Sequence, residues 1–257
     1  MIARHALRRA PRATIALALL GAAAAFLAAA CPNDPKVVTK SAVDHGAALF
    51  ADPSVSGTTY NQMSCETCHD LHAGDSGLLK PGAPLAGVLE RPTYWGGQED
   101  TLLGSINACL YYHMLKNDPW LGDEDDAEAI YAYLEQAEAE ASDEEKQAVA
   151  FTIGAVSVPA SGDAKHGEKL YQSSCQLCHG AKSTAKGRTV DVAPVLPDQT
   201  LKVHAAPMYS DADRRLVFVE KTRHGGFLGY GGQMPPFSEE QLSDQDVADI
   251  LQYLGVP

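Results

Sequence analysis

Cys65-Glu66-Thr67-Cys68-His69 and Cys175-Gln176-Leu177-Cys178-His179 are two copies of one five-residue pattern, 110 residues apart in a chain of 257. On a helical turn, residues three apart share a face, so each cysteine pair can form thioethers to the two vinyl groups of one porphyrin. The histidine that follows is then carried under the iron as its proximal ligand. Read this way, Cys65, Cys68 and His69 hold one covalently bound haem c, and Cys175, Cys178 and His179 hold a second. Four cysteines and two histidines could instead converge on one zinc ion, or serve as redox pairs. Neither alternative explains why the same histidine follows both pairs.

The sequence around the two motifs repeats as well. Asp44-His45-Gly46-Ala47-Ala48-Leu49-Phe50 matches Lys165-His166-Gly167-Glu168-Lys169-Leu170-Tyr171. Leu170 lies five residues before Cys175 and Leu49 sixteen before Cys65, so the first copy carries an insertion of 11, mostly Asp52 to Asn61. Its Ser, Thr, Pro and Gly read as a loop. Downstream, Met114, Asp126, Ile130, Tyr133 and Leu134 match Met234, Asp246, Ile250, Tyr253 and Leu254 without a gap. Apolar residues three or four apart in both tails predict an amphipathic helix. Each copy is expected to run helix, attachment motif, loop, methionine, C-terminal helix.

Each copy resembles a class I cytochrome c domain. The resemblance covers residues 42–136 and 162–257, with 137–161 an acidic helix and linker between them. It implies an all-α fold of two tandem domains, each a small helical unit wrapped around one haem. It also implies N- and C-terminal helices that cross over the haem edge, and a distal methionine. Pro84-Leu85-Ala86-Gly87-Val88 is similar to the family's pocket-lining loop. Asp70 stands where many members have a glycine, as at Gly180. Arg91 and Trp95 are candidates for propionate contacts, and Tyr133 and Tyr253 for packing.

The distal ligands are read from both the residues and the repeat. Met234 lies in Gly231-Gly232-Gln233-Met234-Pro235-Pro236-Phe237, where two prolines forbid a helix. A His/Met pair raises the iron's potential into the range of electron carriers. His224 is the weaker candidate there. In the first copy Cys109, His113 and Met114 fall within six residues. The repeat selects Met114, with His113 as the alternative ligand and Cys109 as a small buried hydrophobe. Met63, His72 and His204 have no support from the repeat. Ala137 to Gln147 reads as an exposed continuation of the preceding helix.

Residues 1–30 read as an export signal, with Arg4, Arg8, Arg9 and Arg12 ahead of an Ala-rich apolar stretch. Leu27-Ala28-Ala29-Ala30-Cys31 resembles a bacterial lipoprotein signal, although Ala28 stands where the leucine is usual. Cys31 would then carry the lipid and residues 31–41 a tether. This places the chain in the periplasm or on the outer surface, where bacteria attach haem c. The formal charge is −13, and the four arginines of the leader mask a more acidic remainder. Such a surface excludes nucleic acid as a partner. Asp118 to Glu145 holds twelve acids and no base, a solvated face or a docking surface for a basic redox protein.

The expected function is single-electron transfer between redox partners. The alternative is a dihaem oxidoreductase acting at the first haem on peroxide or a small sulfur compound. Ile106-Asn107-Ala108-Cys109 is similar to a stretch of dihaem thiosulfate dehydrogenases, some of which use a cysteine as haem ligand.

Overall fold

Local capping explains where four of the helices begin. The computed structural model describes residues 40–154, 158–227 and 232–257. Nine α-helices occur among them: α1 Lys40–Ala51, α2 Cys65–Cys68, α3 Leu102–Met114, α4 Asp125–Glu138, α5 Ala164–Ser174, α6 Gln176–His179, α7 Asp198–Val203, α8 Asp211–His224 and α9 Asp244–Leu254. Thr101 caps α3 and Asp163 caps α5 through their side-chain oxygens. Ser210 with Asp213, and Ser243 with Asp246, form capping boxes at α8 and α9, each satisfying two otherwise orphaned amides. Gly255 ends α9 in the left-handed conformation. Among the described residues there is no strand, only an isolated antiparallel bridge between Tyr94 and Glu99. The protein is all-α.

In each half the first and last helices cross, α1 on α4 and α5 on α9. The repeat extends to the contact itself. A Cβ on Gly46 would lie 2.0 Å from the Ala129 carbonyl oxygen, and one on Gly167 would lie 1.9 Å from that of Asp249. Only glycine lets the two backbones approach so closely. Phe50 and Tyr133 pack with ring centroids 5.5 Å apart, and Tyr171 and Tyr253 at 5.6 Å. The histidine contacts differ in partner: His45 bonds Asp126 at 2.8 Å, whereas His166 bonds Asp249 at 2.7 Å and lies 3.9 Å from Asp246, the match of Asp126. Each crossing anchors its own core, one around Phe50, Leu110, Ile130 and Leu134, the other around Tyr171, Phe218, Ile250 and Leu254.

Two sequence expectations are corrected here. The acidic helix does not continue through Gln147: α4 stops at Glu138 and turns follow. Acids at 138, 140 and 143–145 oppose the negative end of the helix dipole, and Arg91 captures the Glu145 carbonyl at 2.9 Å. Met114 is not on a loop like Met234 but is the last residue of α3. No Gly or Pro interrupts 105–114, whereas Pro235 and Pro236 keep the second methionine's segment extended.

The halves touch directly. Trp95 stacks on Phe227 with centroids 4.6 Å apart and planes 7° from parallel. Leu79 N–H donates to Ser173 O at 3.1 Å, and the Thr152 hydroxyl donates to Glu240 at 2.5 Å. The proposed leader, Cys31 and the tether up to residue 39 lie outside the described residues. No helix among the described residues is long and apolar enough to cross a membrane.

Candidate haem sites

The two five-residue motifs open into two apolar cavities. Cys65, Cys68 and His69 border the first, with Leu85, Val88, Leu110 and Ile130. Cys175, Cys178 and His179 border the second, with Phe218, Ile250, Leu251 and Leu254. Helix α2 spans Cys65 to Cys68, and Cys175 stands at the N-cap of α6, which carries Cys178. Burial pushes the Cys65 and Cys175 thiols up to about 11, and raises those of Cys68 and Cys178 as well. All four are neutral thiols in a dry setting.

Both histidines are oriented in the same way. His69 Nδ1–H donates to Ala83 O at 2.8 Å, and His179 Nδ1–H donates to Pro194 O at 2.8 Å. A proton fixed on Nδ1 leaves the Nε2 lone pair free for a metal, the usual outer support of a ligating histidine. Burial holds both imidazoles below the usual histidine range, which keeps that lone pair available. Gly82 makes the first arrangement possible, since a Cβ there would lie 2.2 Å from His69 Cε1. The loop expected to line the pocket does so: Leu85 and Ala86 amides donate to Leu71 O at 3.1 and 2.7 Å. Cysteine thiols, oriented imidazoles and apolar walls together fit a covalently held haem.

The candidate distal residues divide unevenly. Met234 borders the second cavity and packs against its core. His224 instead pairs with Glu220 at 2.8 Å and does not border that cavity. His204 does border it, with its Nδ1–H donating to Thr200 O at 2.9 Å. Cys109, His113 and Met114 all border the first cavity. Burial pushes the Cys109 thiol up to about 12.

His113 is 5% exposed, and neither ring nitrogen has a hydrogen-bond partner. Burial takes its pKa down to about 4; the nearby Gln233 backbone partly opposes the shift without reaching hydrogen-bond geometry. An unsatisfied buried polar atom costs about 1–3 kcal/mol, so this imidazole is built for a partner the polypeptide does not provide.

Several site features were not readable in the sequence. Asp70 pairs with Lys80 at 2.7 Å, with both side chains nearly buried. Lys80 also donates to Glu66 O at 2.7 Å and His69 O at 3.1 Å, while bordering the second cavity. Arg91 borders the first cavity but spends its guanidinium on Pro84, Ala86 and Glu145 carbonyls. The Trp95 indole N–H points to Ser105 O at 3.4 Å. Fully buried Arg223 donates to Phe237 and Leu242 carbonyls and pairs with Asp244 at 2.6 Å, tying the Met234 segment to α8. Met63, Cys68, Pro81 and Pro235 border both cavities.

Residues 162–254 match the family model described as cytochrome c oxidase, cbb3-type, subunit III. This half is a c-type cytochrome domain. Such a domain holds haem c covalently and passes electrons to redox partners, and the cavity around Cys175, Cys178 and His179 is where this cytochrome domain would bind it. No curated protein is similar enough to match. Among solved structures, the chain is similar to a thiosulfate dehydrogenase (TsdBA) from Marichromatium purpuratum in its as-isolated form, at 20% identity and a TM-score of 0.41. The alignment covers 83% of this chain and 45% of that one, so this chain spans less than half of that protein's length.

Proposed function

We propose that the protein is an exported dihaem c-type cytochrome that carries single electrons between redox partner proteins. The observation that supports it most is the duplication of one device. Twice, a cysteine pair borders an apolar cavity beside a histidine whose Nδ1–H is tied to a backbone carbonyl 2.8 Å away. Haem, when bound, supplies the one-electron ferrous–ferric couple. The chain's residues do the rest. Cys65, Cys68, Cys175 and Cys178 would anchor the haems, His69 and His179 would each supply a ligand to iron, and Met234 would supply a further ligand at the second site. The apolar walls exclude water, which limits reorganisation between charge states. The wall shared by Met63, Cys68, Pro81 and Pro235 sets the two sites side by side.

The leader at 1–30 and a lipid on Cys31 would confine the protein to an extracytoplasmic membrane surface. Exposed acids at Asp118, Asp123, Asp125, Glu135, Asp143 and Glu144 suit a partner with a basic docking face. An optical redox titration of the purified holoprotein tests the carrier reading. Two low-spin haems titrating as two one-electron waves are expected. A high-spin first haem that binds added small ligands would contradict it. The second reading, a sulfur-compound or peroxide oxidoreductase, draws on Cys109 bordering the first cavity. Thiosulfate-dependent haem reduction that disappears in Cys109→Ala would establish it.

A further inference from the structure

We infer that His113, and not Met114, is the residue that takes the distal coordination position of the first haem. This rests on the dihaem reading above and adds the ligand identity. The repeat selects Met114 because it aligns with Met234, but that correspondence assumes equal local structure. Helix α3 extends through Met114, and consecutive residues on a helix point about 100° apart. Met114 is 4% exposed and belongs to the apolar cluster with Leu110, Ile130 and Leu134; its thioether has apolar company without a metal.

His113 is in the opposite position. Its imidazole borders the cavity that His69 also borders, is buried, and has both nitrogens unpaired. A buried apolar helix end is a costly place for an imidazole unless something binds it. The ring is also held in place. Trp95 stacks on it with centroids 6.0 Å apart and planes 27° from parallel. Gln233 fixes its backbone, donating from Nε2 to His113 O at 3.0 Å. Gln233 immediately precedes Met234, so one loop would support the distal ligands of both sites.

The first haem would then be bis-histidine and the second His/Met, giving the first the lower potential. Cys109, one turn before His113 on the same helix face, is the competitor to be separated. The test uses purified holoprotein and four variants, His113→Ala, Met114→Leu, Cys109→Ala and Met234→Leu, read by haem count, optical spectrum and electron paramagnetic resonance. In His113→Ala, one of the two haems should turn high-spin at an unchanged count of two, and added imidazole should restore the low-spin signal. Met114→Leu should keep both haems low-spin and leave the sulfur–iron charge-transfer band at full strength, while Met234→Leu abolishes it.

A low-spin His113→Ala protein, with Met114→Leu or Cys109→Ala producing the high-spin haem, would overturn the assignment. If His113→Ala does not accumulate, Met114→Leu and Cys109→Ala decide together: both haems low-spin and unchanged spectra in both variants uphold His113, and a changed first-haem spectrum in either overturns it. A count of one haem in the unmodified protein would instead defeat the dihaem reading itself.

Discussion

Asp70 replaces the glycine that stands at position 180 in the second copy, and its carboxylate pairs with Lys80 where both side chains are under a tenth exposed. Removing one partner leaves a buried charge uncompensated, which typically costs about 3–5 kcal/mol. Asp70→Asn is therefore expected to lower the unfolding free energy by that order, measured by chemical denaturation of the holoprotein. Burial by itself works against the charged carboxylate, but hydrogen bonds from Lys80 and Ser76 outweigh it and hold Asp70 below its ordinary 3.8. A depressed carboxylate stabilises the fold fully above its unfolded pKa and loses that contribution as pH falls through the folded value. The gap between the unmodified protein and Asp70→Asn should be full at pH 7 and narrow below about pH 4; a gap constant with pH would show that the pair is not ionised. Gly82 gives a second test at this scale. Gly82→Ala drives a methyl into the His69 ring and should perturb the first haem's spectrum alone.

At the level of elements, the fold is carried by two helix crossings, and both were largely legible in the sequence. The His-Gly…Leu-aromatic run and the matched tails contain the glycine, the aromatic pair and the histidine that meet at each crossing. The helices themselves could be read from helical spacing, whereas their crossing was implied by the resemblance to class I cytochrome c domains. Gly167→Ala should cost at least about 1–3 kcal/mol, the usual range for overpacking, because the clash is backbone against side chain with no flexible neighbour to yield. The His45–Asp126 pair, by contrast, has side chains 49% and 46% exposed. His45→Ala should change stability by less than about 1 kcal/mol. Thermal melts of the two variants check both, and a costly His45→Ala with a harmless Gly167→Ala would reverse the account of the crossing. The end of α3 was harder to read. Leu102 to Met114 contains no proline and has a helical composition, yet the gap-free alignment with Met234 favoured a loop. Sequence correspondence does not transmit local structure when the second copy has Pro-Pro and the first does not.

Across the whole molecule, what joins the two halves comes from residues far apart in the chain, and no local pattern announces it. Trp95 meets Phe227, Gln233 reaches Asn61 and His113, and Lys80 bridges from the first motif's carbonyls to the second cavity. Each pairing exists only once the chain is folded, so neither periodicity nor spacing could reveal it. The attachment motifs were legible for the opposite reason, since five consecutive residues carry all of their chemistry. A cation at the border between the sites disfavours the ferric charge in both. Lys80→Met, which removes the cation and leaves the Asp70 carboxylate, should move both reduction waves to lower potential. A shift in only one wave would place Lys80 with a single site. The central claim, that this chain carries two haems, one at each attachment motif, is tested most directly by the intact mass of the denatured protein, in which only covalently held haem remains. Two haems per chain are expected, falling to one in the Cys65→Ser/Cys68→Ser variant. One haem in the unmodified protein, or two retained in that variant, would contradict it.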